Sequence, residues 1–213
     1  MKLISVNIAH TGTVLEHGKP MPSGIFKNPT FESVSVGPLG LEGDFIGELE
    51  SHGGPDQAVY VYSLEDYAWW SQQLGRDLEP GTFGENLTLQ GLDFSTLKIG
   101  DRLKMGEVLL EVTFSRIPCR TLGARMNDLG FVKKFVQAER PGLYCRVLEP
   151  ETVQAGQSVE FLQTQGPQVT ALELFRFWFE PNKSRSLLER ALSVPLGERG
   201  RLYFERLLAQ EQP

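Results

Sequence analysis

Glycine and proline cut this chain into short pieces, and that punctuation limits the available folds more than any other feature. There are 22 glycines and 13 prolines in 213 residues. Turn signals at Gly37-Pro38, Gly53-Gly54-Pro55 and Gly100-Asp101 separate β-like runs at residues 2–9, 31–36, 58–62, 86–89, 102–103, 108–114 and 159–162. Runs this short do not build a helical bundle; they predict a β-rich core, a barrel or a sandwich. LKMGEVLLEV reads as a hairpin turning at Gly106. With 40% hydrophobic and 23% charged residues, the chain can bury a real core as one domain, or as one domain with a small appendage.

Helices interrupt the β pattern at identifiable signals. Ser63 and Asp66 have the spacing of a cap in which the serine hydroxyl accepts from the Asp66 amide, and YAWWSQQLG then runs to a glycine C-cap. Trp69 and Trp70 on this helix read as packing residues. Composition changes after Leu162: a polar QTQGPQ connector leads to Thr170 with Glu173, a second capping pair, and then to ALELFRFWF, SRSLLERALS and GERGRLYFERLLAQ. The predicted organisation is a β domain over residues 1–163 and a three-helix module over residues 164–213. Arg185, Arg190, Arg199, Arg201 and Arg206 raise helix-turn-helix DNA binding, but glutamates are interleaved with them. A solvated face on a packing or dimerising module is the better reading, so no nucleic-acid partner is expected and a homodimer is allowed.

The net charge of −6 provides no general footprint for nucleic acid or an anionic membrane, so an anion site must be a local cluster of basic side chains. Two cysteines, Cys119 and Cys145, make no disulfide framework, and no Cys/His spacing suggests structural zinc. MKLISVNIAH has no signal-peptide h-region, and no run of about 18 apolar residues occurs, so a cytoplasmic chain without a membrane span is expected. Neither GxGxxG nor GxxxxGK[ST] is present.

Chemistry concentrates in four glycine-bearing loops: GLEGD at 40–44, HGGPDQAV at 52–59, GTFGENL at 81–87 and SRIPCR at 115–120. Together they look like the rim of one site. His52, placed where a strand begins, suits either ligand binding and proton transfer or the fixing of a turn. Asp44 and Asn86 are loop residues for which a backbone-satisfying role is the plainer reading. Cys119 stands out. It follows a proline and lies between Arg116 and Arg120, whose charge favours the reactive thiolate. Cys145 has apolar and aromatic neighbours along a strand and reads as core. The residues leave two readings of Cys119 open. One is a nucleophile paired with His52; the other is a single protein ligand to a metal held by an organic cofactor, with the arginines gripping that cofactor's phosphate. The second accounts for more of the sequence.

GLEGD, HGGPDQAVYVY, GTFGENL, then GDRL and SRIPC, in this order, resemble the MOSC-domain proteins and within them the YiiM-like group. GKPMPSGIFKNP adds to the likeness and puts Lys27 on the family's basic cofactor-facing position. The resemblance implies an α+β, mainly β fold: a β-barrel-like core with peripheral helices and a small C-terminal three-helix module. It implies the molybdenum cofactor, a molybdopterin, with Cys119 as the molybdenum ligand. Lys27, Arg116 and Arg120 would face its anionic groups, with His52, Asp44 and Asn86 at the substrate side or supporting the cofactor. The implied activity is reduction of N-hydroxylated compounds such as 6-hydroxylaminopurine. Having no CxxxxCxxC ferredoxin pattern and no flavin signature, the chain would take electrons from a partner reductase or ferredoxin-like protein. The alternative is a non-enzymatic carrier of the cofactor or of sulfur.

Overall fold

A computed structural model describes residues 1–16, 19–48 and 52–210. Gly18 of the GKPMPS segment and Ser51 beside His52 lie outside the described residues. Within them the chain is mixed α and β, with thirteen strands and six α-helices.

The largest unit is an eight-stranded sheet. It contains β1 (Lys2–Ile8), β4 (Asn28–Thr30), β7 (Val59–Ser63), β8 (Leu87–Gln90), β9 (Arg102–Met105), β10 (Val108–Ser115), β11 (Leu143–Glu149) and β13 (Glu160–Leu162). Their spatial order is β13-β9-β10-β11-β7-β8-β1-β4. All neighbours are antiparallel except β7 and β8, which run parallel. β2 (Gly12–Glu16) and β3 (Lys19–Ser23) form a separate hairpin, while β5 (Val34–Gly37), β6 (Gly40–Leu41) and β12 (Glu151–Val153) form a small second sheet. The expected hairpin at Gly106 joins β9 to β10, with that glycine at φ +57°.

The barrel expectation needs correction: the sheet is open, with β13 and β4 as its edges. Register shifts in β1 and β10 curl it, and one isolated bridge, Lys2 to Ser158, brings its ends near each other. Closure fails because β1 takes β4 as its outer partner, and three-residue β13 is too short to form a second ladder with β1.

The predicted helix after Ser63 is α1 (Leu64–Leu74). Ser63 Oγ accepts from the Asp66 amide at 3.1 Å, and Gly75 closes the helix in the left-handed conformation. Two helices not predicted, α2 (Arg120–Arg125) and α3 (Phe131–Ala138), follow β10. The tail forms α4 (Ala171–Phe179), α5 (Arg185–Leu192) and α6 (Glu198–Gln210), and Thr170 and Glu173 cap α4 reciprocally. Among the described residues no helix is long and apolar enough to cross a membrane.

Two apolar clusters sandwich the sheet. On one face Leu3, Val59, Val61, Leu110, Val112 and Cys145 pack in a core that continues into Phe177, Leu188 and Phe204 of the tail helices. The alternating residues of the same strands, Tyr60, Tyr62 and Tyr144, face a second, aromatic cluster with Tyr67 and Trp70 of α1 and Phe131 and Phe135 of α3. Its phenols are satisfied: Tyr60 donates to Pro141 O at 2.9 Å and Tyr62 to Arg140 O at 2.8 Å. The candidate site lies at the margin of this aromatic face.

Candidate functional site

Six of the residues singled out in the sequence, Lys27, Asp44, His52, Asn86, Arg116 and Cys119, line one cavity of about 190 Å³. They arrive from different loops. Lys27 immediately precedes β4, Asp44 follows β6, and Asn86 precedes β8. Arg116 and Cys119 come from the link between β10 and α2.

Cys119 is extended, at φ −123° and ψ 175°, and takes the N-cap position of α2. Its Sγ lies 3.4 Å from His52 Nε2. Burial alone would push the thiol up. The His52 hydrogen bond, the Arg116 and His52 charges and a hydrogen bond from Thr121 outweigh it and bring the pKa down to about 6. At neutral pH the sulfur is therefore thiolate.

His52 does not sit at the start of a strand as expected. Its amide donates to Glu48 O at 2.9 Å, and a 3-10 turn (Pro55–Gln57) separates it from β7. Glu48 Oε2 is 3.5 Å from His52 Nδ1, so the imidazole lies between a carboxylate and the thiol. Glu48 was not singled out in the sequence. Lying in an unremarkable GELES stretch, it had no local signal beyond its spacing of four from His52, which puts the two side chains on one helical face.

Lys27, Asp44 and Asn86 are engaged mainly with one another. Lys27 Nζ donates to Asp44 Oδ1 at 2.6 Å and also to Oδ2. The same carboxylate accepts from Ala9 N and from Asn86 Nδ2, each at 2.8 Å, while Asn86 Oδ1 accepts from Tyr60 N at 3.1 Å. Burial lowers the Lys27 pKa and the Asp44 charge opposes that effect. Asn86 thus has the backbone-satisfying role read from the sequence, with Asp44 as the hub.

Arg116 is different. The residue is 5% exposed; its guanidinium donates from Nη1 to Phe83 O at 2.5 Å and lies 5.1 Å from the Tyr60 ring centre. Among the described residues it has no carboxylate partner. A buried cation facing two aromatic rings, one carbonyl and the Cys119 sulfur retains donors for an anionic ligand. Arg120, its expected counterpart, is exposed on the first turn of α2 and is not among the residues lining the cavity. One residue into the helix, its side chain leaves on a different bearing from that of Cys119.

Beneath the loop, Glu85 is fully buried and accepts from Tyr67 Oη (2.7 Å), Gly81 N (2.7 Å) and Thr88 Oγ1 (2.8 Å). Burial holds its pKa above the ordinary carboxylate range. It ties the GTFGENL loop to α1 and β8. Cys145 is fully buried in β11 and outside the cavity, and both cysteines are free.

A curled mixed sheet with a loop-borne thiolate beside a buried arginine defines the class, and the chain belongs to the MOSC-domain family, whose pattern matches residues 48–160. This is the molybdenum cofactor sulfurase C-terminal family, so a molybdenum-cofactor-associated function goes with it. The chain is 34% identical over 214 residues to the uncharacterized protein YflK of Bacillus subtilis (strain 168), covering 98% of this chain and 97% of that protein. It is 31% identical over 156 residues to Protein YiiM of Escherichia coli (strain K12), covering 72% and 70%. A Gibberella moniliformis protein named "Reductase" is 28% identical over 183 residues, 84% of this chain but 32% of that protein. The crystal structure of YiiM from Geobacillus stearothermophilus matches with a TM-score of 0.81 at 24% identity, covering 97% of this chain and 98% of that one.

Proposed function

We propose that the chain is a molybdenum-cofactor-dependent reductase of N-hydroxylated compounds, with Cys119 as the molybdenum ligand and electrons from a separate redox protein. The observation that carries this reading is the pairing of a thiol brought down to about 6 with a buried, carboxylate-free arginine on the same cavity. A soft thiolate ligand and an anion-binding fork are what a phosphorylated, metal-carrying cofactor requires. Among the described residues no cluster of three or more His, Cys, Asp or Glu is arranged to hold a metal, so a metal at Cys119 would have to bring its own ligands. Cys119 and Arg116 would hold the metal and an anionic group of such a cofactor, and the donors that line the cavity fit that chemistry.

Bound there, the cofactor would supply the two-electron transfer that converts R–NH–OH, with two protons, to R–NH2 and water. The chain's own residues do the rest. Arg116 binds the anionic group. Asp44 and Asn86 hold Lys27 and the Tyr60 backbone in place, so that the cavity wall keeps its shape. His52, half-buried, places Nε2 3.4 Å from the Cys119 sulfur on the wall of the cavity. Purification from a molybdopterin-competent host should give near-stoichiometric molybdenum that Cys119→Ser removes; absence of molybdenum from the unsubstituted protein sinks the proposal.

The Glu48–His52–Cys119 alignment favours a second reading, a thiol nucleophile with an oriented imidazole. It predicts an iodoacetamide-sensitive hydrolase whose activity survives in molybdopterin-deficient cells.

A further inference from the structure

The chain is acidic, with a net charge of −6, yet residues 119–138 carry Arg120, Arg125, Lys133 and Lys134 against a single carboxylate, Asp128. That stretch is α2, α3 and the turn between them, and it begins at the thiol. Cys119 is the N-cap of α2, Thr121 lines the thiol cavity and Arg125 ends the helix. A helix of 6 residues is about 9 Å long, so the far end of α2 is one short element away from the sulfur. The turn beyond it is fixed by hydrogen bonds. Asn127 takes the left-handed conformation at φ +52°, Asp128 N donates to Gly123 O at 2.9 Å, and Asp128 Oδ1 accepts from Gly130 N at 2.8 Å. This turn holds Leu129 91% exposed.

The cations around Leu129 are poorly balanced by the chain itself. Asp128 pairs with Lys134 at 2.7 Å, and among the described residues Arg76, Arg125 and Lys133 form no ion pair. Arg76 follows the C-terminal glycine of α1 and lies close enough to Arg125 for its charge to add to burial in lowering the Arg125 pKa. The Arg125 guanidinium lies 5.1 Å from the Phe26 ring centre, and its Nε is buried without a partner. Glu85, whose charge also reaches it, is fully buried and already accepts from three donors. Like charges gathered without counter-charges favour an acidic partner, and an exposed apolar side chain among them supplies an anchor. The patch is small, as in the brief, low-area encounters of electron carriers. We infer that the surface formed by Arg76, Arg125, Leu129 and Lys133 docks the acidic face of a small iron–sulfur electron carrier beside the thiol cavity. Two reduced carriers in turn would each give up one electron and leave oxidised; those two electrons, with two protons from water, convert R–NH–OH to R–NH2 and water. The electron-donor role rests on the reductase reading; the docking itself does not.

The test is calorimetric titration of the full chain, purified from a molybdopterin-competent host, with oxidised plant-type ferredoxin at low salt. Saturable binding is expected, weakened about tenfold or more at roughly 0.3 M salt. Each of Arg76→Glu, Lys133→Glu and Leu129→Ser should weaken it about fivefold or more. Arg185→Glu makes the same change of charge on α5 and should bind as the unsubstituted chain does. All four residues are exposed, so the variants keep the fold, which circular dichroism checks. Absence of saturable binding, unchanged affinity in any of the first three variants, or an equal loss in Arg185→Glu overturns the proposal. So does equally tight binding of cytochrome c, a basic carrier, or of duplex DNA. Molybdenum is measured in the same preparations. Docking without molybdenum leaves the surface standing and sinks the reductase; molybdenum without docking sinks the surface alone.

Discussion

Cys119 is reactive because of what surrounds it, and the surroundings are separable by substitution. With the thiol at about 6, alkylation by iodoacetamide should rise with pH through 6 and level off near 7. Removing the imidazole with His52→Ala withdraws the hydrogen bond and a charge that favour thiolate, so the midpoint moves up toward the ordinary cysteine value. The rate at pH 6.5 should fall about tenfold, partly offset by the greater nucleophilicity of a more basic thiol. An unchanged midpoint would show that Arg116 and Thr121 hold the thiolate without His52. Asp44 offers a stability test, because it and Lys27 are only 5% and 7% exposed. Asp44→Ala strands a buried ammonium and should cost about 3–5 kcal/mol in urea denaturation. Adding Lys27→Met should recover only part of the loss, since Ala9 N and Asn86 Nδ2 remain without their acceptor. At this scale the sequence distinguished residue types but not directions: Arg116 and Arg120 both flank Cys119 in the chain, yet one is buried against Tyr60 and the other is exposed.

Elements were legible where their own residues encode them. The Ser63 and Thr170 caps and the Gly106 turn are local hydrogen-bonding devices readable from spacing. Thr170→Ala should therefore lower stability by about 1 kcal/mol through α4 alone, measured by thermal unfolding. The hairpin of β2 and β3 was not legible: KPMPS carries two prolines, a composition that argues against a strand, and it is tolerated here because the hairpin is isolated from the main sheets. This hairpin also walls the cavity through a close approach at Gly24, where an added Cβ would meet Phe45 O at 1.7 Å. Gly24→Ala must push the 45–47 segment outward. The expected results are a reduced molybdenum-to-protein ratio, on the proposed function, and a lowered melting temperature, with the α-helical circular dichroism retained.

For the whole molecule, the tail helices and the sheet share one apolar cluster, in which Phe204 packs 6.1 Å from Phe114 and 5.6 Å from Phe177. Calorimetry should accordingly show a single cooperative transition for the full chain, and Phe204→Ala should destabilise it by about 3–5 kcal/mol. Two separate transitions, with the substitution affecting only one, would mean that the helices fold as an independent unit. By itself, the sequence determined the mixed α and β class, the helical tail, the capped helix ends and the set of loops whose residues line one cavity, because periodicity, turn residues and caps act over a few neighbouring positions. Only the tertiary structure decided that the sheet stays open, that Lys27 is committed to Asp44 and that Glu48 stands behind His52. Each depends on contacts between segments far apart in the chain, where the direction of a side chain is set by packing and by the hydrogen bonds that buried groups must find.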